Sequence, residues 1–424
     1  MSNKTHKKAD KKKKYDDEKL IDKLKTYNYS IVYAIVLVVI GFIFLHDLFG
    51  GTLFSHNAWD SYAIQAKAWL DGKVSLGQNY PWLELAVYKD DYFVSFPPFP
   101  SVLMLPWVII YGLNAPNNLI MIMYVIVAIV LAYKIIRFFN YKEEEASFLA
   151  VVVVLGCNML WMATMGGVWF QAQLVNMILC LGALLCMLND RRKLSYFLIA
   201  CAVGCRPFSA LYFIVLFVWY YLKDKKEAKD DKESFVKIII KGQGKSFIAP
   251  LVVAIVYMWY NYVRFDSPFE FGHNYLPEFT ESQYGQFNIV YLWDNLKNLI
   301  FRGITIDKAF KIDIPRFNGF LFYIANPLFL VAMIYIVINI KNKSFDLIRI
   351  ILASLTVVNL LCLCMHKTLG GWQFGARYTV DMIPYALLYI MLSKNNKRLK
   401  RWEYFLGIFA IMFNLYGAIY IGNG

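Results

Sequence analysis

Apolar residues fill long runs along nearly the whole chain, separated by short polar or basic stretches, and this pattern predicts membrane-crossing helices. A helix needs about 20 residues, at about 1.5 Å each, to cross roughly 30 Å of hydrocarbon. Eleven spans are expected on that basis: 31–49, 117–136, 146–164, 170–188, 194–205, 207–222, 247–263, 318–340, 347–365, 378–392 and 402–421. The expected class is an all-α polytopic membrane protein. Residues 194–222 also admit a single long helix kinked at Pro207. A hairpin is favoured because it keeps Arg191-Arg192-Lys193 and the basic residues after Lys223 on one side of the membrane.

Two long outer segments remain, about 50–116 and 264–317, and long connections in a compact protein usually carry function or disorder. The first opens with residues 57–76, which read as a helix lying in the interface plane. Trp59, Ala63, Ala66 and Leu70 fall on one side, and Asp60, Lys67 and Asp71 on another. Residues 96–111 follow as an apolar, proline-broken piece, short for a crossing and expected to dip into the outer leaflet. No internal repeat or inverted half-repeat is visible, which disfavours common transporter plans.

Composition agrees with this pattern. The 424 residues are 59% hydrophobic and only 17% charged, with mean hydropathy +0.45, too apolar for a soluble domain. The formal charge of +14 reads as a topology signal, and no nucleic-acid partner is expected. Residues 1–27 hold ten Lys before the run 31–49, which lacks a small-residue cleavage site. The expected division is a basic cytoplasmic tail, 1–30, behind an uncleaved signal anchor, and a membrane domain, 31–424. With that start, 32 of the 44 Lys and Arg lie on the inner side. All seven cysteines sit in apolar runs without CxxC or metal-ligand spacing, so they read as packing residues, with no disulfide framework or zinc site.

Several residues are candidates for chemistry. Asp60 reads either as part of a helix start, with Asn57 as cap and Asp60 compensating the positive dipole end, or as a carboxylate that accepts a proton from an incoming hydroxyl. Arg206 and Arg377 stand at outer ends of apolar spans, in Gly204-Cys-Arg-Pro207 and Gly370-Gly-Trp-Gln-Phe-Gly-Ala-Arg-Tyr378. Guanidinium forks there suit a lipid phosphate, while the plainer readings are snorkelling to headgroups or an ion pair of Arg377 with Asp381. Glycines 370, 371 and 375 allow close backbone approach or simply a turn. His273 lies in an aromatic segment, 260–275, that reads as an interfacial belt or a substrate contact. Asp90 and Asp91 read as a solvated turn.

The order of WDSYAIQAKAWLDGKVSL, YFVSFPPFPSVLMLP, CRPFSALYF, YNYVRFDSPFEFGHNY and GGWQFGARYTVDMIP resembles the GT-C superfamily of integral-membrane glycosyltransferases, in its bacterial branch that uses polyprenyl-phosphate sugars. The similarity runs over roughly residues 30–392. It implies a multi-pass protein of the bacterial cytoplasmic membrane with its N-terminus inside. The implied partners are a polyprenyl-phosphate sugar donor from the outer leaflet and a glycan, lipid or protein acceptor on the extracytoplasmic side. Asp60 occupies the family's catalytic acidic position. Arg206 and Arg377 are implied to hold the phosphate, and Gln65, Lys67, His273 and Trp372 to line the site. Ser61 follows Asp60 where some relatives carry a paired acid, so a metal-independent reaction with no cofactor is expected. A transporter or flippase of a lipid-linked glycan is the alternative, and a noncatalytic scaffold the third reading.

Overall fold

The computed structural model describes residues 28–228 and 234–422, so nearly all of the expected basic tail lies outside the described residues. Among the described residues six helices are long and apolar enough to cross a membrane: Ser30–Leu48, Asn117–Phe138, Val168–Leu188, Ile248–Phe265, Leu347–Cys364 and Arg401–Gly422. Each coincides with an expected span. Val168–Leu188 is the central post, packed by Asn117–Phe138 on one side and Arg192–Val203 on the other. Ser30–Leu48 lies at the rim and turns Leu37 and Phe44 outward, each 68% exposed, as expected of side chains facing lipid tails.

The other five expected spans are short or interrupted, and three of them break at one cluster of buried amides. The helix Glu143–Leu155 stops before Gly156, where a Cβ would meet Val152 O at 2.5 Å and Ala410 at 3.0 Å. Asn158 follows. Its Oδ1 accepts from Asn326 Nδ2 at 3.0 Å, and its Nδ2 donates to Asn414 Oδ1 at 3.2 Å. Asn326 in turn interrupts 318–340 between Phe322–Ala325 and Leu328–Lys341, and donates to Thr379 Oγ1 at 2.9 Å. Thr379 lies in the 3-10 turn Arg377–Met382 that opens the last of the three, ahead of Ile383–Ser393. A run of apolar letters hides such breaks, because side-chain amides satisfy the backbone groups that a broken helix frees.

The segment around Arg206 is a hairpin. Arg192, at the start of Arg192–Val203, pairs at 2.7 Å with Asp224 near the end of Tyr212–Glu227, and Lys223 pairs at 2.8 Å with Asp190. Both basic clusters therefore lie at one end, and Arg206 at the other.

The first long loop folds into a cap over this bundle. Its helix begins at Ser61 and ends at Leu70, with Asp60 itself as the N-cap. The expected capping by Asn57 is corrected accordingly. Ala63 and Ala66 are fully buried, as expected, beside Tyr62 and against Met104 and Val108 of Phe99–Tyr111, but the expected wet face is small, because Asp60 is buried too and of that face only Lys67 and Asp71 reach water. A two-stranded antiparallel hairpin, β1 (Leu85–Tyr88) and β2 (Asp91–Val94), covers the same region. Its turn residues Lys89 and Asp90 both take positive φ, the usual device of a two-residue hairpin loop. Arg264, buried at the end of Ile248–Phe265, clips the hairpin by donating to Val94 O at 3.1 Å.

Candidate active site

Two adjoining cavities open between the cap and the bundle. The first, about 400 Å³, has aromatic and aliphatic walls that include Phe208, Phe271, Phe287 and Leu363, with Arg206 set among them. The second, about 450 Å³, is lined by Asn57, Trp59, Glu84, Glu278 and Trp372. Six residues line both and form the waist between them: Phe96, Trp169, His273, His366, Arg377 and Tyr378.

Positive charge concentrates at the waist. The Arg206 and Arg377 guanidinium carbons stand 4.8 Å and 4.9 Å from the centroid of the same Tyr378 ring. Arg206 Nε donates to Asp381 Oδ2 at 2.8 Å, and Asn176 holds the other carboxylate oxygen at 3.3 Å. The ion pair foreseen between Arg377 and Asp381 is thus made by Arg206, because the hairpin carries Arg206 to the foot of the 3-10 turn. Arg377 Nε instead donates to Gly370 O at 2.9 Å. Among the described residues nothing accepts from its two amino groups. Asp381 pairs with Arg206 alone, so the waist offers in Arg377 a guanidinium fork that suits an anion.

Two histidines border this charge, with ring centroids 6.4 Å apart. Burial, reinforced by the neighbouring His366, holds His273 at a pKa of about 4, and burial does the same for His366. Both rings are therefore neutral at pH 7. His366 Nδ1 lies 2.7 Å from Thr368 O and 3.1 Å from Thr368 N, and its Nε2 lies 3.1 Å from Gln286 Nε2.

Asp60 lies behind the second chamber. It is fully buried, its Oδ1 accepting from Ala63 N at 3.2 Å and its Oδ2 from Asn117 Nδ2 at 3.0 Å. Burial pushes its carboxyl above the ordinary range, opposed by those two hydrogen bonds. Asn117 fits there because Gly166 has no side chain: a Cβ at 166 would lie 2.5 Å from the Asn117 amide carbon. Trp59, next to Asp60, faces the chamber and packs on Trp169 with centroids 5.6 Å apart.

Of the other sequence candidates, His273 and Arg377 line both chambers, Arg206 the first and Trp372 the second. Gln65 and Lys67 line neither. Gln65 is buried between Tyr260 and Ser101, bonded to them at 3.0 Å and 2.7 Å, and Lys67 points to solvent in an exposed pair with Asp71. The helix turns them away, since 65 and 67 lie on faces that Ile248–Phe265 and water occupy. Sequence reasoning missed Glu84, Trp169, His366 and Tyr378. His366, one of only five histidines and directly before the Gly370–Tyr378 motif, carried a readable signal. Among the described residues no three His, Cys, Asp or Glu stand together as a metal site.

No protein-family model and no curated protein matches this chain. Solved structures do. The oligosaccharyltransferase of Archaeoglobus fulgidus in its apo form superposes with a TM-score of 0.51 at 14% identity, over 94% of this chain and 56% of that one. ArnT from Cupriavidus metallidurans bound to undecaprenyl phosphate gives 0.52 at 13% identity, over 89% of this chain and 62% of that one. The archaeal enzyme AglB in complex with an inhibitory peptide and a dolichol-phosphate gives 0.50 at 13% identity. The chain spans little more than half the length of these proteins. These superpositions show that the chain shares its fold with these solved GT-C structures.

Proposed function

We propose that the protein is a membrane glycosyltransferase that moves a sugar from a polyprenyl-phosphate donor to an acceptor on the extracytoplasmic side of a bacterial cytoplasmic membrane. The observation that carries this reading is the waist, where Arg206 and Arg377 flank Tyr378 between an apolar-walled chamber and a polar, aromatic one. The isoprenoid tail suits the first chamber, and the acceptor the second. An acceptor hydroxyl attacks the anomeric carbon from the second chamber, and the bonding electrons leave with the lipid phosphate, which inverts the anomeric centre. The two guanidinium groups neutralise the phosphate as its charge grows, and loss of one such contact typically costs about 10²–10³ in rate. The neutral histidines and Trp372 offer hydrogen-bonding and stacking surfaces for the sugar.

The similar structures support the donor class, because one is bound to undecaprenyl phosphate and another to a dolichol-phosphate. Asp60 is the proton acceptor that the family resemblance implies. That role requires its carboxylate to leave Asn117 and pass Trp59. The test is to purify the protein in a lipid nanodisc and measure transfer and hydrolysis across a panel of polyprenyl-phosphate sugars. Turnover that Arg206→Ala and Arg377→Ala abolish supports the reading. Lipid translocation without turnover would assign the protein to carriage instead.

A further inference from the structure

A separate cavity of about 270 Å³ opens at the end of the bundle remote from the waist, among the ends of Leu328–Lys341, Leu347–Cys364 and Ile383–Ser393. The 18 residues of Leu347–Cys364, at about 1.5 Å each, set it roughly 27 Å from His366. Arg349, Lys394 and Lys400 line it with the amides of Asn342, Asn395 and Asn396, and among the described residues no carboxylate does. We infer that this cavity is a phosphate site, filled by the headgroup of an anionic phospholipid in the adjoining leaflet.

The three cations differ in what already holds them. Lys394 is occupied by Glu403, whose two oxygens accept from its Nζ at 2.8 Å and 2.6 Å. Glu403 also accepts from Tyr335 and from the Lys400 backbone, and the Lys400 ammonium, 6.0 Å from the Tyr335 ring centroid, has no acceptor among the described residues. Arg349 keeps only 16% of its side chain exposed, and its Nε donates at 3.0 Å to Asp346, the N-cap of its own helix, which stands outside the cavity. Among the described residues nothing accepts from its two amino groups. A mostly buried guanidinium fork with open donors, beside an uncommitted ammonium and three amides, matches the oxygens of a phosphate. The flanks select the molecule that carries it. Ile338 and Leu392 complete the walls, and Val337, Ile340, Leu347 and Ile350 stand exposed on the two helices that supply Ile338 and Arg349. Acyl chains can lie along those side chains, and basic pockets between membrane helices are known to take anionic headgroups. A soluble phosphate would gain nothing from them.

The experiment compares wild type, Arg349→Lys, the double variant Arg349→Gln with Lys400→Gln, and Lys341→Gln as full chains in phosphatidylcholine nanodiscs. The thermal midpoint is followed as phosphatidylglycerol replaces part of that lipid, or as glycerol phosphate is added to the buffer. Lys341 is exposed at the same end and does not line the cavity, so its variant controls for loss of charge alone. Phosphatidylglycerol is expected to raise the midpoint of wild type and Lys341→Gln. The double variant should need a mole fraction roughly tenfold or more higher for the same rise. Arg349→Lys should fall between, because an ammonium keeps the charge and loses the fork. Lys400→Gln alone, at an exposed position, carries the comparison if the double variant does not fold. A rise with glycerol phosphate alone, lost in the double variant, would uphold the phosphate site and overturn its lipid occupant. An equal rise in all the proteins, or none in wild type, would overturn the site itself.

Discussion

Gly370 and Gly371 are adjacent, yet substitution at each should act on different quantities. An alanine Cβ at 370 would lie 2.7 Å from Arg377 Nε and 3.3 Å from its Cγ, whereas at 371 nothing lies within 4 Å. The φ values are +111° and +62°, so both positions strain an L-residue, by about 1–3 kcal/mol each. That strain is present with and without ligand and cancels from an affinity. The clash does not cancel, because it displaces a buried side chain and breaks the bond from Arg377 Nε to Gly370 O. The displaced guanidinium then loses a hydrogen bond to the lipid phosphate, about 1.5–3 kcal/mol, which corresponds to roughly tenfold to hundredfold in affinity. Gly370→Ala should therefore weaken undecaprenyl-phosphate binding by that factor, while Gly371→Ala lowers thermal stability and leaves affinity within about twofold. Quenching of tryptophan fluorescence on lipid titration reads both, since Trp169 and Trp372 line the chambers. Equal affinities in the two variants would refute the steric account of how Arg377 is held.

Asp60→Ala should lower the thermal midpoint in detergent more than Asp60→Asn, because alanine loses both the cap and the Asn117 contact, about 2 kcal/mol together, while asparagine retains one acceptor. An unchanged midpoint in the alanine variant would remove Asp60 from the architecture. His273 and His366 have pKa values of about 4 against 6.5 for an ordinary histidine. Between these values the unfolded chain binds more protons, so their contribution to stability is complete above pH 6.5 and declines as pH falls toward 4. Replacing both by Gln should flatten that slope in a series of melts at different pH. Lys394 and Glu403 form a buried pair at 2.6 Å. Lys394→Met alone should cost about 3–5 kcal/mol by stranding a carboxylate, and adding Glu403→Leu should recover part of the loss; equal melts for the single and double variants would contradict this.

The amino-acid sequence made the periphery of this fold more legible than its centre. Helices that face lipid, such as Ser30–Leu48, carry an uninterrupted apolar signal that length alone identifies. The segments that shape the chambers do not, because Asn158, Asn326 and Thr379 break helices inside runs that still read as apolar. Arg206, Arg377, His273 and Trp372 were readable because charged and aromatic groups at span ends are conspicuous against hydrocarbon. Glu84 was not, since a lone acid before a short hairpin looks like ordinary loop polarity. Its placement depends on Trp169, 85 residues away, which no local pattern encodes. Asp60 was conspicuous at a helix start, but its bond from Asn117, 57 residues away, was not readable there.

Each chamber has exposed lining of its own beyond the shared waist. Exposed Phe269 and Phe287 border the first, and exposed Glu84 and Glu278 the second, with only the waist in common. On the proposed function, a carrier in the first chamber and an acceptor in the second would be held at once and meet at the waist as a ternary complex. Initial-rate plots for such an arrangement intersect instead of running parallel, and excess of one substrate does not inhibit use of the other.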